Sequence, residues 1–123
     1  MKRIIPRKKT IIPIAKLRNE CDKLLQQKGR LKYNDCEICN KPMNCLHHFF
    51  PKSMSSKLRY DWNNLIPICN GCHMRHHSAG DPSIHMTIVE KRGYSWYEKL
   101  DMVRHKTIKV NIKYYIDKIK ELN

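Results

Sequence analysis

The sequence has few acidic residues and no long hydrophobic run. Only 11 Asp and Glu residues stand against 25 Lys and Arg residues, which gives a formal net charge of +14. No segment approaches the roughly 18 apolar residues of a membrane span, so we expect no contact with a membrane. The N-terminus is basic but lacks the apolar run and the small-residue cleavage site of a signal peptide. These absences exclude an integral membrane protein and argue against secretion.

The positive charge is concentrated near the N-terminus. Residues 1–32 contain eleven Lys and Arg residues and two acidic residues, and so hold nine of the fourteen net charges. Because Lys and Arg displace counterions from phosphates, nucleic acid is the first candidate partner. Residues 1–12 form a basic arm that we expect either to lie along DNA or to remain a solvated tail. Its candidate DNA contacts are Lys2, Arg3, Arg7, Lys8 and Lys9.

Four of the six cysteines form two Cys-x-x-Cys pairs. Cys36 and Cys39 precede Cys69 and Cys72, with 29 residues between the pairs. Without a signal peptide, such pairs are typical of zinc sites rather than of disulfides. Four thiolates are the closed tetrahedral ligand set of structural zinc. Of the other cysteines, Cys21 falls on the apolar face of an amphipathic helix and Cys45 in a short apolar strand, so we expect both to pack in the core.

Histidines cluster around the same cysteines. His47 and His48 are adjacent, and His73 and His77 are four residues apart, on one face of a helix. We expect His47, His73 and His77 to bind a second, catalytic divalent metal, with His76 able to replace His77 after a small helix rotation. Because strand residues alternate in direction, we also expect a bulge or twist at the doublet if both imidazoles serve one site. His85 and His105 lie outside this pattern, and we expect them to be ordinary surface or partly buried histidines.

The pattern of elements predicts an α+β fold. We expect a helix from Pro13 to Gln27 that ends at Gly29, strands over 45–50 and 64–68, and a helix from near His73 to Gly80. Further helices are predicted over 82–92, 95–105 and 109–122. We place a basic arm and N-terminal helix at 1–32, a zinc-stapled core at 33–93 and C-terminal helices that pack on it at 94–123. The apolar stripe of the last helix packs on the core or on a sister chain, so a homodimer stays open.

The segment from Cys36 to Gly93 resembles the HNH, or ββα-metal, endonucleases in their cysteine-knuckle form. The pattern CxxC, HH, NNL and CxxCHxxxH supplies the family's letters in order, and phage HNH proteins, including the NinG-type recombination nucleases, are similar. The resemblance implies that His48 is the general base and that Asn64 fixes the loop over the hairpin. It implies that His47, His73 and His77 hold the catalytic metal, and that Cys36, Cys39, Cys69 and Cys72 hold structural Zn²⁺.

The chemistry of phosphodiester hydrolysis suits these residues. Histidine has an ordinary pKa near 6.5, which fits a general base at neutral pH, and a divalent ion stabilises charge on the phosphate. Arg59 and Arg75 are candidate phosphate contacts. We therefore expect an endonuclease that acts on DNA, with no small-molecule substrate, using Mg²⁺, Mn²⁺ or Zn²⁺. The resemblance places it in phage DNA recombination or processing, in the cytoplasm of a bacterial host. A non-catalytic zinc-knuckle DNA-binding protein is the alternative, and a nuclease acting on RNA stays open.

Overall fold

The computed structural model describes residues 13–123, so the basic arm and its five predicted DNA contacts lie outside the described residues. Five α-helices and two β-strands follow one another along this part of the chain. The helices are α1 (Ile14–Lys32), α2 (Asn70–His77), α3 (Ser83–Arg92), α4 (Tyr94–Arg104) and α5 (Ile112–Leu122), and the strands are β1 (Cys45–His48) and β2 (Leu65–Ile68). The predicted mixture of helices with a small sheet is confirmed. This order, a hairpin followed by a helix, is consistent with a ββα-metal fold.

The chain divides into two compact units. The larger unit spans Gln26–Ile108 and contains both strands and α2 to α4. The described part of the smaller unit consists of residues 13–25 and 109–123. In the smaller unit, Cys21 is fully buried and its thiol lies 3.5 Å from the carbonyl oxygen of Tyr115. Cys21 is therefore a core residue, as its place on the apolar helix face predicted.

The two strands form an antiparallel hairpin with an uninterrupted register. His47 pairs with Ile66 and His48 with Leu65. We expected a bulge or twist at the histidine doublet, and the bulge is absent from these paired residues, so that part of the prediction is wrong. A regular strand turns successive side chains to opposite faces, so His47 is buried while its neighbour His48 is half-buried in different surroundings.

Helix α1 continues past the glycine that was expected to end it. Gly29 lies inside the helix, which extends to Lys32, and a Cβ atom at this position would lie 2.4 Å from Cδ1 of Leu46. The sequence pattern treated this glycine as a helix terminator, but its role here is to let α1 approach β1 closely. Gln26 fixes the same contact, because its side chain accepts a hydrogen bond from Leu46 N at 2.8 Å and donates one to Leu46 O at 3.0 Å.

The other boundaries differ from the predicted ones by a few residues. The first strand ends at His48 rather than at Phe50, and Asn64 belongs to a short 3₁₀ turn (Trp62–Asn64) rather than to the second strand. Helix α2 begins at Asn70, because the Cys69 sulfur accepts the Cys72 backbone N–H and so caps the helix. The second Cys-x-x-Cys pair and the start of α2 are therefore one local structure.

A hydrophobic core lies beneath the hairpin in the larger unit. Its buried members are Cys36, Phe49, Phe50, Leu58, Ile66, Ile68, Cys69, Cys72, Ile84, Ile88 and Leu100. A forked ion pair at the edge of this core joins Arg92 of α3 to Glu37 between the first two cysteines, with two N–O distances of 2.7 Å. Arg92 also donates to Leu65 O at 3.2 Å. This side chain therefore connects the first Cys-x-x-Cys pair, α3 and the start of β2.

Helix α5 buries only part of its predicted apolar stripe. Of the stripe, Tyr115 is buried, whereas Ile112 and Ile116 are about two-fifths exposed; Leu122, which is outside the predicted stripe, is also buried. Packing on a sister chain, and with it a homodimer, stays a prediction. None of the helices in residues 13–123 combines the length and the apolar character that crossing a bilayer requires.

Candidate metal centres and catalytic cleft

The four cysteines of the two Cys-x-x-Cys pairs come together as one cluster. One sulfur from each of Cys36, Cys39, Cys69 and Cys72 lies within 4.8 Å of the others, and the closest described pair, Cys39 and Cys69, is 3.6 Å apart. Sulfurs bound to zinc at about 2.3 Å in a tetrahedron lie roughly 3.8 Å apart. The cluster is therefore compatible with zinc. It fastens the segment before β1 to the start of α2.

The surroundings of the cysteine cluster favour a thiolate at Cys69 but oppose one at Cys72. Burial opposes ionisation of Cys69, but hydrogen bonds from the Cys72 backbone and from neighbouring thiols lower its pKa to about 7. Burial and the same thiols raise the pKa of Cys72 to about 12. Four thiols packed together cannot all ionise without a cation, because each thiolate opposes the next. A zinc ion resolves this conflict, since a thiol that coordinates it loses its proton.

Five histidines form a second cluster centred on His47. The His47 ring lies 5.0–5.5 Å from the ring centres of four others, His73, His76, His77 and His85. Ring nitrogens of His47, His73 and His77 lie within 4.8 Å of one another, which brings together the three predicted ligands of the catalytic metal. A second group with the same spacing consists of His47, His76 and His85. Strand β1, helix α2 and helix α3 each contribute to the cluster.

Four histidines of the cluster, His47, His73, His76 and His85, are held in the neutral form that binds metals. Burial, with the charge of His85 and the other neighbouring imidazoles, lowers the pKa of His47 to about 2. Burial is also the main cause that lowers the pKa of His85 to about 4 and that lowers the pKa values of His73 and His76. A neutral imidazole keeps the lone pair that coordinates a cation.

Cys45 lies on the same strand face as His47 and next to the candidate metal ligand His73. Its sulfur lies 3.6 Å from Nδ1 of His73. Burial raises the pKa of the Cys45 thiol, so it stays neutral and can accept a weak hydrogen bond from that nitrogen. A partner at one ring nitrogen directs the other toward a metal, which is the usual support for a histidine ligand. Cys45 belongs to none of the candidate ligand groups in residues 13–123, in agreement with its predicted packing role.

His48 faces the loop that follows the hairpin's first strand. Its Nε2 lies 2.8 Å from the backbone carbonyl oxygen of Arg59. A carbonyl oxygen only accepts, so Nε2 carries the hydrogen and Nδ1 is the nitrogen that can take up a proton. The ring also lines a cleft of about 360 Å³ whose wall includes His47, His73, His76 and His77. The candidate base and the candidate metal ligands thus share one cleft.

Asn64 is fully buried and positions the surroundings of His48. Its side chain accepts from Phe50 N at 2.8 Å and donates to Phe50 O at 3.0 Å and to Leu58 O at 3.2 Å. Phe50 lies two residues after His48, and Leu58 directly precedes Arg59, the partner of that histidine. One amide therefore fixes both the chain that carries the His48 ring and the loop that presents its acceptor.

The two arginines predicted to contact phosphate differ in their surroundings. The Arg59 guanidinium lies 5.9 Å from the centre of the Tyr60 ring, and the backbone carbonyl of the same residue accepts the hydrogen bond of His48. Arg75 forms an ion pair with Asp81 at 2.9 Å, so a phosphate would compete with a carboxylate there. Hydrogen bonds from Ser83 and then from Arg75 lower the pKa of Asp81 to about 2, so this carboxylate is charged at neutral pH.

The structure adds two residues that the motif did not identify. His85 is partly buried, which was one of the two expected surroundings, but the sequence did not indicate that its Nε2 lies 3.0 Å from Nε2 of His47. His85 lies on α3, eight residues after His77, and this separation matches no common spacing of metal ligands. Its proximity to His47 therefore follows only from the packing of α3 beside the cleft. Lys52 lines the cleft beside the histidines. Its position in the sequence, four residues after His48, is the one feature that could have identified Lys52 as a residue of the cleft. His105 is exposed at the end of α4, as predicted.

Comparison with known proteins identifies the segment that holds these sites. Residues 36–79 match the family described as HNH endonuclease. A mitochondrial DNA mismatch repair protein mutS homolog from Sarcophyton glaucum is 39% identical over 56 residues, which cover 37% of this chain and 6% of that protein. This chain thus spans a small part of that relative's length. No solved structure matches this chain. Residues 36–79 therefore form a domain of the HNH endonuclease family.

Proposed function

We propose that this protein is a metal-dependent endonuclease that hydrolyses DNA phosphodiester bonds in the cleft of its HNH domain. One observation carries the proposal: His48 lines the same cleft as the ligand group of His47, His73 and His77, with its Nε2–H donated to a backbone carbonyl. A base and a cation site side by side are what hydrolysis of a phosphodiester requires. A protein that only binds DNA needs the cysteine cluster but not this second set of imidazoles.

In the proposed reaction, Nδ1 of His48 takes a proton from the attacking water. The ring becomes cationic, and its Nε2–H bond to Arg59 O strengthens because the donor is then charged. Asn64 keeps that carbonyl and the His48 backbone in place while the proton moves. Lys52 and Arg59 supply positive charge for the phosphate oxygens, with Arg75 available if phosphate displaces Asp81. A divalent cation held by His47, His73 and His77 would stabilise the negative charge on the phosphate and on the leaving oxygen.

The ligand chemistry favours Zn²⁺ among the three metals that the sequence left open. Neither histidine group in residues 13–123 includes a carboxylate. Imidazole suits borderline cations such as Zn²⁺, whereas Mg²⁺ prefers oxygen ligands and retains its water. The phage resemblance, with its NinG-type members, supports a role in phage DNA recombination or processing in the cytoplasm of a bacterial host. That role belongs to the proposal, as do products with 5′-phosphate and 3′-hydroxyl ends, which the resemblance to the HNH endonucleases implies.

The test measures cleavage of supercoiled, linear and four-way-junction DNA, and of RNA, with Zn²⁺, Mn²⁺ or Mg²⁺ in turn. We expect the parent protein to cut DNA and the His48→Ala variant to cut about 10²–10⁴-fold more slowly, the usual contribution of a positioned base. The zinc content and DNA affinity of His48→Ala should match those of the parent, since His48 belongs to none of the three candidate metal groups in residues 13–123. His105→Ala serves as the matched control and should cut at the parent's rate.

Two results would contradict the proposal in different ways. Intact DNA with all three metals would favour the non-catalytic zinc-knuckle binding protein. Cleavage by His48→Ala at the parent's rate would remove the base assignment but keep the enzyme. Preferential cleavage of RNA would keep the site and change the substrate.

A further inference from the structure

Two histidines of the cluster have no part in the proposed catalytic site. His76 lies on α2, and His85 lies on α3. Ring nitrogens of His47, His76 and His85 nevertheless lie within 4.8 Å of one another, the same spacing as in the group that includes His73 and His77. The two groups share only His47, which is 4% exposed and lies between them.

The surrounding structure holds the His85 ring against His47. The ring stacks on Phe49 at a centroid distance of 4.3 Å on one side and on His76 at 4.2 Å on the other. Both stacks are nearly parallel, with interplanar angles of 22° and 19°. Its helix is anchored by the buried side chains of Ile84 and Ile88. Stacked contacts restrict the ring plane and leave the Nε2 edge directed at His47, so His85 is an ordered part of the cleft wall.

We propose that His47, His76 and His85 form a second binding position for a borderline divalent cation, of which Zn²⁺ is the physiological example. Imidazole nitrogens bound to zinc at about 2.0–2.1 Å lie roughly 3.3 Å apart in a tetrahedron, close to the 3.0 Å between Nε2 of His47 and Nε2 of His85. Three neutral nitrogens without a carboxylate select zinc-like cations over Mg²⁺ and Ca²⁺.

Sharing His47 makes the two positions alternatives. A lone pair on one ring nitrogen binds one cation, so an ion at His76 and His85 withdraws His47 from the position beside His48. The histidine cluster should therefore still bind one cation when either His73 and His77 or His76 and His85 are replaced. This inference concerns binding alone and does not depend on nuclease activity. A simple hydrogen bond between His47 and His85 is the rival explanation of their short distance, and it predicts no cation there.

The experiment titrates Zn²⁺ by calorimetry, and Co²⁺ by its visible absorption, into protein that already holds one equivalent of zinc. The variant His73→Ala/His77→Ala lacks two of the three ligands of the position beside His48. His73 is half-buried and His77 is exposed, so neither substitution removes a buried core side chain. We expect it to bind one further equivalent, with the absorption of nitrogen-ligated Co²⁺. Adding His85→Ala to this variant should weaken that binding by roughly 100-fold or more, the loss expected for one ligand of several.

The controls separate the ligand set from folding. Adding His105→Ala, an exposed histidine outside the cluster, should leave the binding of the double variant unchanged. His73→Gln/His77→Gln repeats the measurement with polar side chains if the alanine variant loses its native circular dichroism. A natively folded double variant that binds nothing beyond its structural zinc would overturn the second position, and equal binding with and without His85 would do the same. Neither result bears on whether the parent cuts DNA.

Discussion

His47 and His48 are neighbours in the chain, yet they have different surroundings because a regular strand turns them to opposite faces. His47 is enclosed by four other imidazoles, and burial among them keeps it neutral. His48 instead donates to a loop carbonyl and lines the cleft. The doublet therefore needs no bulge to supply one metal ligand and one base. Regular strand alternation is sufficient to separate the two roles, and no distortion of the backbone is required.

Asn64 offers a residue-scale prediction with a neighbouring control. Asn64→Ala leaves the Phe50 N–H and the carbonyls of Phe50 and Leu58 without their side-chain partner in a buried site. We expect the free energy of unfolding to fall by about 2–4 kcal/mol, since each buried unsatisfied group costs roughly 1–3 kcal/mol. Urea denaturation measures this change. Asn63→Ala removes the same side chain from an exposed position, so a similar loss in both variants would contradict the role of Asn64.

The histidine cluster also predicts how stability depends on pH. The folded chain keeps His47 and His85 neutral, with pKa values lowered to about 2 and about 4, whereas the unfolded chain takes up protons below about pH 6.5. The free energy of unfolding should therefore be fully retained above pH 6.5 and fall as the pH drops toward 4. Each such histidine contributes at most about 1.4 kcal/mol per pH unit, and solvent screening reduces this for the half-exposed His85.

Denaturation of protein that holds one equivalent of zinc, enough for the cysteine cluster alone, at pH 7.5, 6.5, 5.5 and 4.5 measures this dependence. His85→Gln should flatten it, because one of the histidines that charges only on unfolding is gone. His105→Gln, a substitution outside the cluster, should keep the parent's curve. A His85→Gln curve parallel to that of the parent would show that His85 is not held neutral by the fold.

At the scale of elements, local patterns predicted most helices, both strands and the joining of the two Cys-x-x-Cys pairs. Sequence spacing was enough for these predictions, because residues three or four positions apart on a helix or in a Cys-x-x-Cys turn are neighbours in any fold. It did not suffice for His85, whose place depends on the packing of α3, or for Gly29, whose place depends on Leu46. Both residues make contacts between elements that are far apart in sequence. A single sequence carries no periodicity that reports such contacts.

The close approach of α1 to β1 predicts an unusual response to a helix-favouring substitution. Gly29→Ala should gain about 1 kcal/mol of helix propensity, but the new Cβ would lie 2.4 Å and 2.5 Å from Cδ1 and Cγ of the buried Leu46. We expect a net loss of about 1–3 kcal/mol in the free energy of unfolding, as for other overpacked sites. Gly71→Ala on α2 is the control, since its Cβ would meet only the Cys69 sulfur at 3.9 Å. A higher melting temperature for Gly29→Ala would refute the close contact.

At the scale of the whole molecule, two clusters of soft ligands support a chain with a small core. The cysteine cluster joins the segment before the hairpin to α2, and the histidine cluster joins β1 to α2 and α3. Metal binding of this kind contributes directly to folding free energy. The larger unit thus gathers its buried residues, its ligands and its candidate catalytic groups around one short hairpin. The net charge of +14 on the whole chain favours association with polyanions.

The basic arm gives the last prediction, which concerns the encounter with DNA rather than the reaction. Residues 2–9 hold five Lys and Arg residues, and their deletion with the rest of residues 1–12 should weaken DNA binding. If three or four of these charges lie on phosphates, the slope of log affinity against log salt concentration should decrease by about 0.9 for each phosphate that the arm no longer neutralises. Zinc content and the circular dichroism of the remaining chain should not change, because the cysteine cluster begins at Cys36.

Replacing the five basic residues with Gln in the full-length chain is the control for chain length, and this variant should show the same change in slope. An unchanged slope and affinity in both proteins would mean that the arm does not bind phosphates, and the attraction to DNA would then come from the remaining basic residues.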